Sequence, residues 1–333
     1  MRPLTRVADR SDEPTPNRGA PTRQSATAPA TASTRAASAA RVSPGLVMAA
    51  IIVFWGLGPP VSKLITAPPV ISVLYRFWLS VPLLFALAMA TGHRPTIESV
   101  RRTSLAGAAF GINLVFVFLT INRTAVAVLS VIATLQPGVI LLLAGRFFGE
   151  RATLWHVIWT LVGIGGTVVV VAGGGDGFVV DGVAIAYAVA SQLFFVLYFL
   201  ITKKVRSAND IDSIQWMAGV VLFAAVTVTP WALAVSSPAD YQAIGGTDWA
   251  WLAIIIVFTG GLGHVLMAWV HRYIEASRSS LYLLSMNIVA IIAAWLIHDE
   301  PLGALQLLGG AVVFVAVAAV VSRPALAIDE AVA

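Results

Sequence analysis

From Pro44 to about Arg323 the chain is one apolar run after another, separated by short breaks. A helix needs roughly 20 apolar residues to cross about 30 Å of hydrocarbon. The stretch Gly45–Thr66 has that length and a single charge, Lys63, near its far end. Within lipid, backbone polar groups must bond one another, so runs of this kind fold as helices. With 58% hydrophobic and 11% charged residues, and a mean hydropathy of +0.87, there is more apolar surface than a soluble core hides. The expected fold class is all-α: a polytopic membrane bundle surrounded by lipid, with function in a pathway or site between helices.

The runs divide into about ten spans of bilayer length: 45–66, 70–90, 103–121, 124–147, 154–172, 181–201, 212–235, 249–271, 277–297 and 303–322. Pro68-Pro69 cannot continue a helix, so a break is expected there. Asn122-Arg123 reads as a turn rather than a kink, because 103–147 is about twice a bilayer crossing. Residues 1–43 are rich in Ala, Thr, Ser, Pro and Arg without an apolar block, and read as a disordered basic tail. Asp9, Asp12 and Glu13 count against an organellar transit peptide, and no secretory h-region is seen. Lys and Arg fall in that tail and in alternate breaks (Arg94, Arg101, Arg102; Arg151; Lys203, Lys204, Arg206; Arg272, Arg278; Arg323). The opposite breaks hold only Arg123. Positive-inside then places both termini in the cytoplasm of a multi-pass cell-membrane protein.

Several function classes fall away. The net charge of +5 follows membrane orientation rather than a nucleic-acid-binding face. With no cysteine there is neither a disulfide framework nor a thiolate metal site. Gly173-Gly174-Gly175-Asp176-Gly177 lacks the Lys-Ser/Thr of a phosphate loop and reads as an external turn. No HExxH, paired carboxylates or nucleophile with its base is seen, so no enzyme, cofactor or metal is expected.

The two halves echo each other. Trp55 precedes Lys63 by eight residues, as Phe195 precedes Lys203. Gly149-Glu150-Arg151 closes the fourth span and Asp299-Glu300-Pro301-Leu302 the ninth; upstream, Gln136-Pro137 aligns with Met286-Asn287. Five spans per half is odd, so the halves would insert with opposite polarity, with Glu150 cytoplasmic and Glu300 external. Inverted repeats are a recurrent transporter design with the site at their interface. These features, with Trp55-Gly56, Arg76, Pro137 and Gly309-Gly310, resemble the EamA-like families of the drug/metabolite transporter superfamily over roughly 45–322. Asn287 replaces a second-half proline of that pattern, and Phe195 stands where tryptophan is common. The resemblance implies two five-helix repeats (44–172 and 173–323, then a tail, 324–333), a central cavity, and export or uptake of small metabolites by alternating access.

The candidate substrate-binding residues are the polar and aromatic groups inside spans: Trp55, Lys63, Asn113, Gln136, Gln192, Tyr198, His264 and Asn287. A lone amide in hydrocarbon is costly, so these groups should point inward, either bonding another helix or lining a cavity. Lys63 would cost about 2.5–3.5 kcal/mol at mid-span, and either snorkels or meets a substrate anion. His264 follows a glycine tract suited to close approach or an unwound turn; its roles are a proton-coupling group or a packed neutral ring. Arg76, Pro137, Glu150 and Glu300 are gating or structural candidates: Arg76 for headgroups or a helix–helix bond, Pro137 for a kink, the two acids for latches or caps. Gly107 and Gly111 form a GxxxG close-packing face, with a homodimer seam as the second reading. The set suits a small neutral or amphipathic substrate, amino-acid-like or aromatic, and the resemblance implies export. The alternative is a sugar-phosphate or nucleotide-sugar carrier, which needs Lys63, Arg76 or Lys203 on a shared cavity. A membrane-embedded enzyme or a channel is the remaining alternative.

Overall fold

The computed structural model describes residues 43–124, 126–133, 135–148, 153–172, 182–299 and 303–322. The N-terminal tail, Glu150, Glu300, the Gly173–Gly177 turn and residues 324–333 lie outside the described residues.

Helix α1 (Pro44–Ser62) begins with proline, whose missing N–H no helix start requires. It also carries Pro59 and Pro60 in its final turn, so the carbonyls of Trp55 and Gly56 lose their usual i+4 donors. The chain turns through 63–68 and restarts as α2 (Pro69–Ala90), again with proline first. The break expected at Pro68-Pro69 is present, and α1 ends at Ser62, short of the expected boundary at Thr66. A short helix α3 (Ile97–Arg102) is opened by a reciprocal cap between Thr96 and Ser99. It leads into α4 (Ser104–Ile121). Asn122 then caps α4, so Asn122-Arg123 is a turn. Two pieces follow, α5 (Val126–Ala133) and α6 (Leu135–Phe148), where one span was expected. Pro137 falls in the first turn of α6, where a missing N–H breaks no helical bond.

Next come α7 (Leu154–Ala172), α8 (Gly182–Ala208) and α9 (Ser213–Val235). The Asp212 carboxylate caps α9 by accepting from the N–H groups of Ile214 and Gln215 at 2.8 and 3.3 Å. Then α10 (Asp248–Ile254) widens into a π-helical segment, Ile255–Leu262, before α11 (Gly263–Val270) resumes normal winding. The glycine tract thus sits in a widened helix. The expected span 277–297 is also two helices, α12 (Ala276–Tyr282) and α13 (Ser285–His298), and α14 (Ala304–Val321) ends the bundle.

Among the described residues, seven helical stretches are long and apolar enough to cross a membrane; Leu154–Gly166 and Leu307–Ala316 are shorter apolar stretches. No strand occurs among the described residues. Leu161, Leu233 and Phe314 are 62%, 70% and 65% exposed. Lipid, not water, accommodates such an outer surface. Inside, α1 packs on α13, the π-helical segment and α11; α2 on α9; α4 on α8 and α9; α7 on α14. A Cβ on Gly107 would lie 2.5 Å from the Phe223 Cβ and 2.6 Å from the Val220 carbonyl oxygen. One on Gly111 would lie 3.0 Å from the Ala224 carbonyl oxygen. The GxxxG face therefore forms the α4–α9 seam within one chain.

Candidate functional site

The cavity of interest, about 110 Å³, lies among α1, α2, α4, α5, α6, α8, the π-helical segment, α11 and α13. On that measure a water needs about 10–15 Å³, so the space suits a compact solute. Six of the candidates meet there: Trp55, Asn113, Gln136, Gln192, His264 and Asn287. Arg76 joins them, with hydroxyls from Ser62, Ser130 and Thr259. Pro59 of α1 and Thr259 of the widened helix border the same space, and both lie in irregular stretches of helix. Irregular backbone at membrane depth is tolerated where protein buries it or it lines a cavity.

His264 sits in an aromatic cage. Its ring lies 4.5 Å from Trp55 and 4.4 Å from Phe110, centroid to centroid. Tyr198 does not line the cavity; it stands behind His264, with its hydroxyl 3.1 Å from Nδ1. If the hydroxyl donates to Nδ1, the neutral ring carries its proton on Nε2. Trp55 meets Phe195 edge-on at 5.7 Å. A Cβ on Gly263 would fall 2.6 Å from Trp55 Nε1, so glycine is what lets the indole approach α11. Asn113 Nδ2 donates to the Ser191 carbonyl at 2.8 Å, tying α4 to α8. Trp55 Nε1 and Gln136 Nε2 are buried donors without a hydrogen-bond partner among the described residues. Each such group costs about 1–3 kcal/mol if left unbonded.

Charge is unevenly placed. Arg76 is 3% exposed, and no Asp or Glu lines the cavity among the described residues. Lys63 is exposed at the end of α1 and does not line it. Lys203 is also elsewhere: Nζ donates to the carbonyls of His271 and Ile274 at 2.8 and 2.7 Å. Arg206 Nε donates to the Ala268 carbonyl at 3.2 Å. Together these two cations cap the carbonyl-rich end of α11.

Sequence reasoning missed Asp248. Its carboxylate, 2% exposed, accepts from the Thr66 N–H and hydroxyl, each at 3.0 Å, and from the Ala67 N–H at 3.2 Å. It thereby locks the α1–α2 turn to the start of α10. An acid at the edge of an apolar run reads as a solvated loop residue, and only the tertiary fold brings residues 66–67 to it.

Comparison with known proteins agrees with this architecture. The sequence pattern of the EamA-like transporter family matches residues 43–172 and again residues 182–322. An uncharacterized transporter of Archaeoglobus fulgidus is 24% identical over 287 residues, covering 84% of this chain and 98% of its own length. A crystal structure of a protein, 17% identical, superposes with a TM-score of 0.67 over 83% of this chain and 95% of its own. That likeness concerns the fold alone.

Proposed function

The chain belongs to the EamA-like transporter family, and we propose that it is a secondary transporter moving a small amphipathic metabolite by alternating access. One observation carries this reading: polar groups from both halves of an apolar bundle, Arg76, Asn113 and Gln136 from one and Gln192, His264 and Asn287 from the other, converge on one cavity. Lipid gives such groups no solvent, so a solute that bonds them gains what the bundle lacks. The aromatic wall of Trp55, Phe110 and Phe195 suits an apolar body. Its proposed direction, efflux, follows the family resemblance.

We further propose ten crossings in two oppositely inserted repeats. The paired family match supports this. So does the packing, which survives exchange of the halves. Contact of α4 with α8 has its counterpart in α11 with α1, and contact of α4 with α9 has its counterpart in the π-helical segment with α2. The pairs α2–α9 and α7–α14 map onto themselves. The Lys/Arg pattern supports a cell-membrane protein with both termini cytoplasmic. A carrier of sugar phosphates or nucleotide sugars is less well supported, since of Lys63, Arg76 and Lys203 only Arg76 lines the cavity.

Counterflow in proteoliposomes across a metabolite panel tests the reading. Saturable exchange is the expected result. An unsaturable leak would indicate a channel, and chemical conversion an enzyme. Within that assay, Gln136→Leu and Asn287→Leu are expected to raise KM in folded protein.

A further inference from the structure

Resting on the transport reading, we propose that the substrate is a small organic monoanion, a carboxylate with a compact apolar body, held through Arg76. Arginine stays charged in proteins, so this guanidinium brings a full positive charge into the cavity wall. Among the described residues its side chain has neither an ion pair nor a hydrogen-bond acceptor, and no carboxylate lines the same space. A buried cation without a counter-ion is costly, and the cost falls when a ligand supplies the charge.

The surroundings favour an acceptor-rich ligand. Trp55 Nε1 and Gln136 Nε2 are buried donors still lacking acceptors, and both residues line the cavity with Arg76. The guanidinium also abuts the widened helix. A Cβ on Gly260 would lie 3.5 Å from Nη2 and 3.7 Å from Nε, so that helix presents its smallest residue to the cation. One guanidinium balances one negative charge. A phosphate ester, with nearly two, would leave a charge uncompensated in a low-dielectric space. The cavity volume of about 110 Å³ limits the body to a compact group.

The test compares acids with their isosteric amides on the full chain in nanodiscs, by titration calorimetry. The probes are benzoate against benzamide, isobutyrate against isobutyramide, and phenyl phosphate. At least one acid is expected to bind about tenfold or more tightly than its amide, the factor a charge-assisted contact supplies. Phenyl phosphate is expected to bind more weakly than benzoate. Arg76→Gln is expected to bring the acid-to-amide ratio near unity. Equal affinity for acid and amide in both pairs, failure of both acids to bind, or phenyl phosphate binding tighter than benzoate overturns the proposal. An unchanged ratio in Arg76→Gln does so too, and if that variant does not fold, the unmutated comparison decides alone. Acid-selective binding with no counterflow would sink the transport reading and leave this one. Counterflow of neutral solutes without acid preference would do the reverse.

Discussion

Replacing Asp248 with alanine removes a buried carboxylate that accepts three hydrogen bonds from Thr66 and Ala67. Hydrogen bonds to a charged group are worth about 1.5–3 kcal/mol each, so a simple sum overshoots. Thr66 is exposed, and its two donors can find other partners at the surface. Ala67 is 3% exposed, so its N–H carries the main penalty, about 1–3 kcal/mol for a buried donor left unbonded. Losing a negative charge from the first turn of α10 adds about 0.3–1 kcal/mol. The expected destabilisation is about 1.5–4 kcal/mol. Asp248→Asn keeps one oxygen acceptor and is expected to cost less, about 1–2 kcal/mol. Thr66→Val removes only the exposed hydroxyl bond and is expected to cost about 1 kcal/mol or less. Equilibrium unfolding in mixed micelles measures all three. If both Asp248 variants stay within about 0.5 kcal/mol of the parent protein, the α1–α2 turn does not depend on this carboxylate and the reasoning fails.

Three other outcomes follow from the packing. Gly107→Val drives a side chain into Phe223 and the Val220 carbonyl, and is expected to cost about 1–3 kcal/mol or more. Gly165→Ala, where a Cβ meets nothing within 4 Å, is expected to be neutral or to stabilise by up to about 1 kcal/mol; unfolding midpoints separate the two. Tyr198→Phe deletes the hydroxyl 3.1 Å from His264 Nδ1, with an expected loss of about 1–2 kcal/mol in the same assay. Single cysteines at Thr153 and Gly303, in a chain with none of its own, are expected to react with an impermeant thiol reagent from opposite sides of the membrane; reaction from one side contradicts inverted insertion.

Much of the cavity was legible because lipid leaves polar groups few options. Asn113, Gln136, Gln192, His264 and Asn287 lie deep within apolar runs, and they meet at one space. Arg76 was harder to place. Six residues into a span, an arginine can snorkel or turn inward, and helix rotation decides which. Its place in the sequence points to headgroups or a helix–helix bond, whereas the residue lines the cavity. Lys63 shows the opposite case, at a similar depth but exposed. The glycine tract before His264 suits close approach or an unwound turn, and a widened π-helical segment lies there instead of an unwound one. The division between α12 and α13 falls at Leu283-Leu284. No proline or glycine punctuates that point, so apolar periodicity alone could not reveal it.

The most direct test of alternating access uses a single cysteine at Gln192, on the cavity wall. In sealed, oriented vesicles, an impermeant thiol reagent is expected to modify it from either face, with transported solute slowing both reactions. Modification from one face only, with and without solute, would contradict the account.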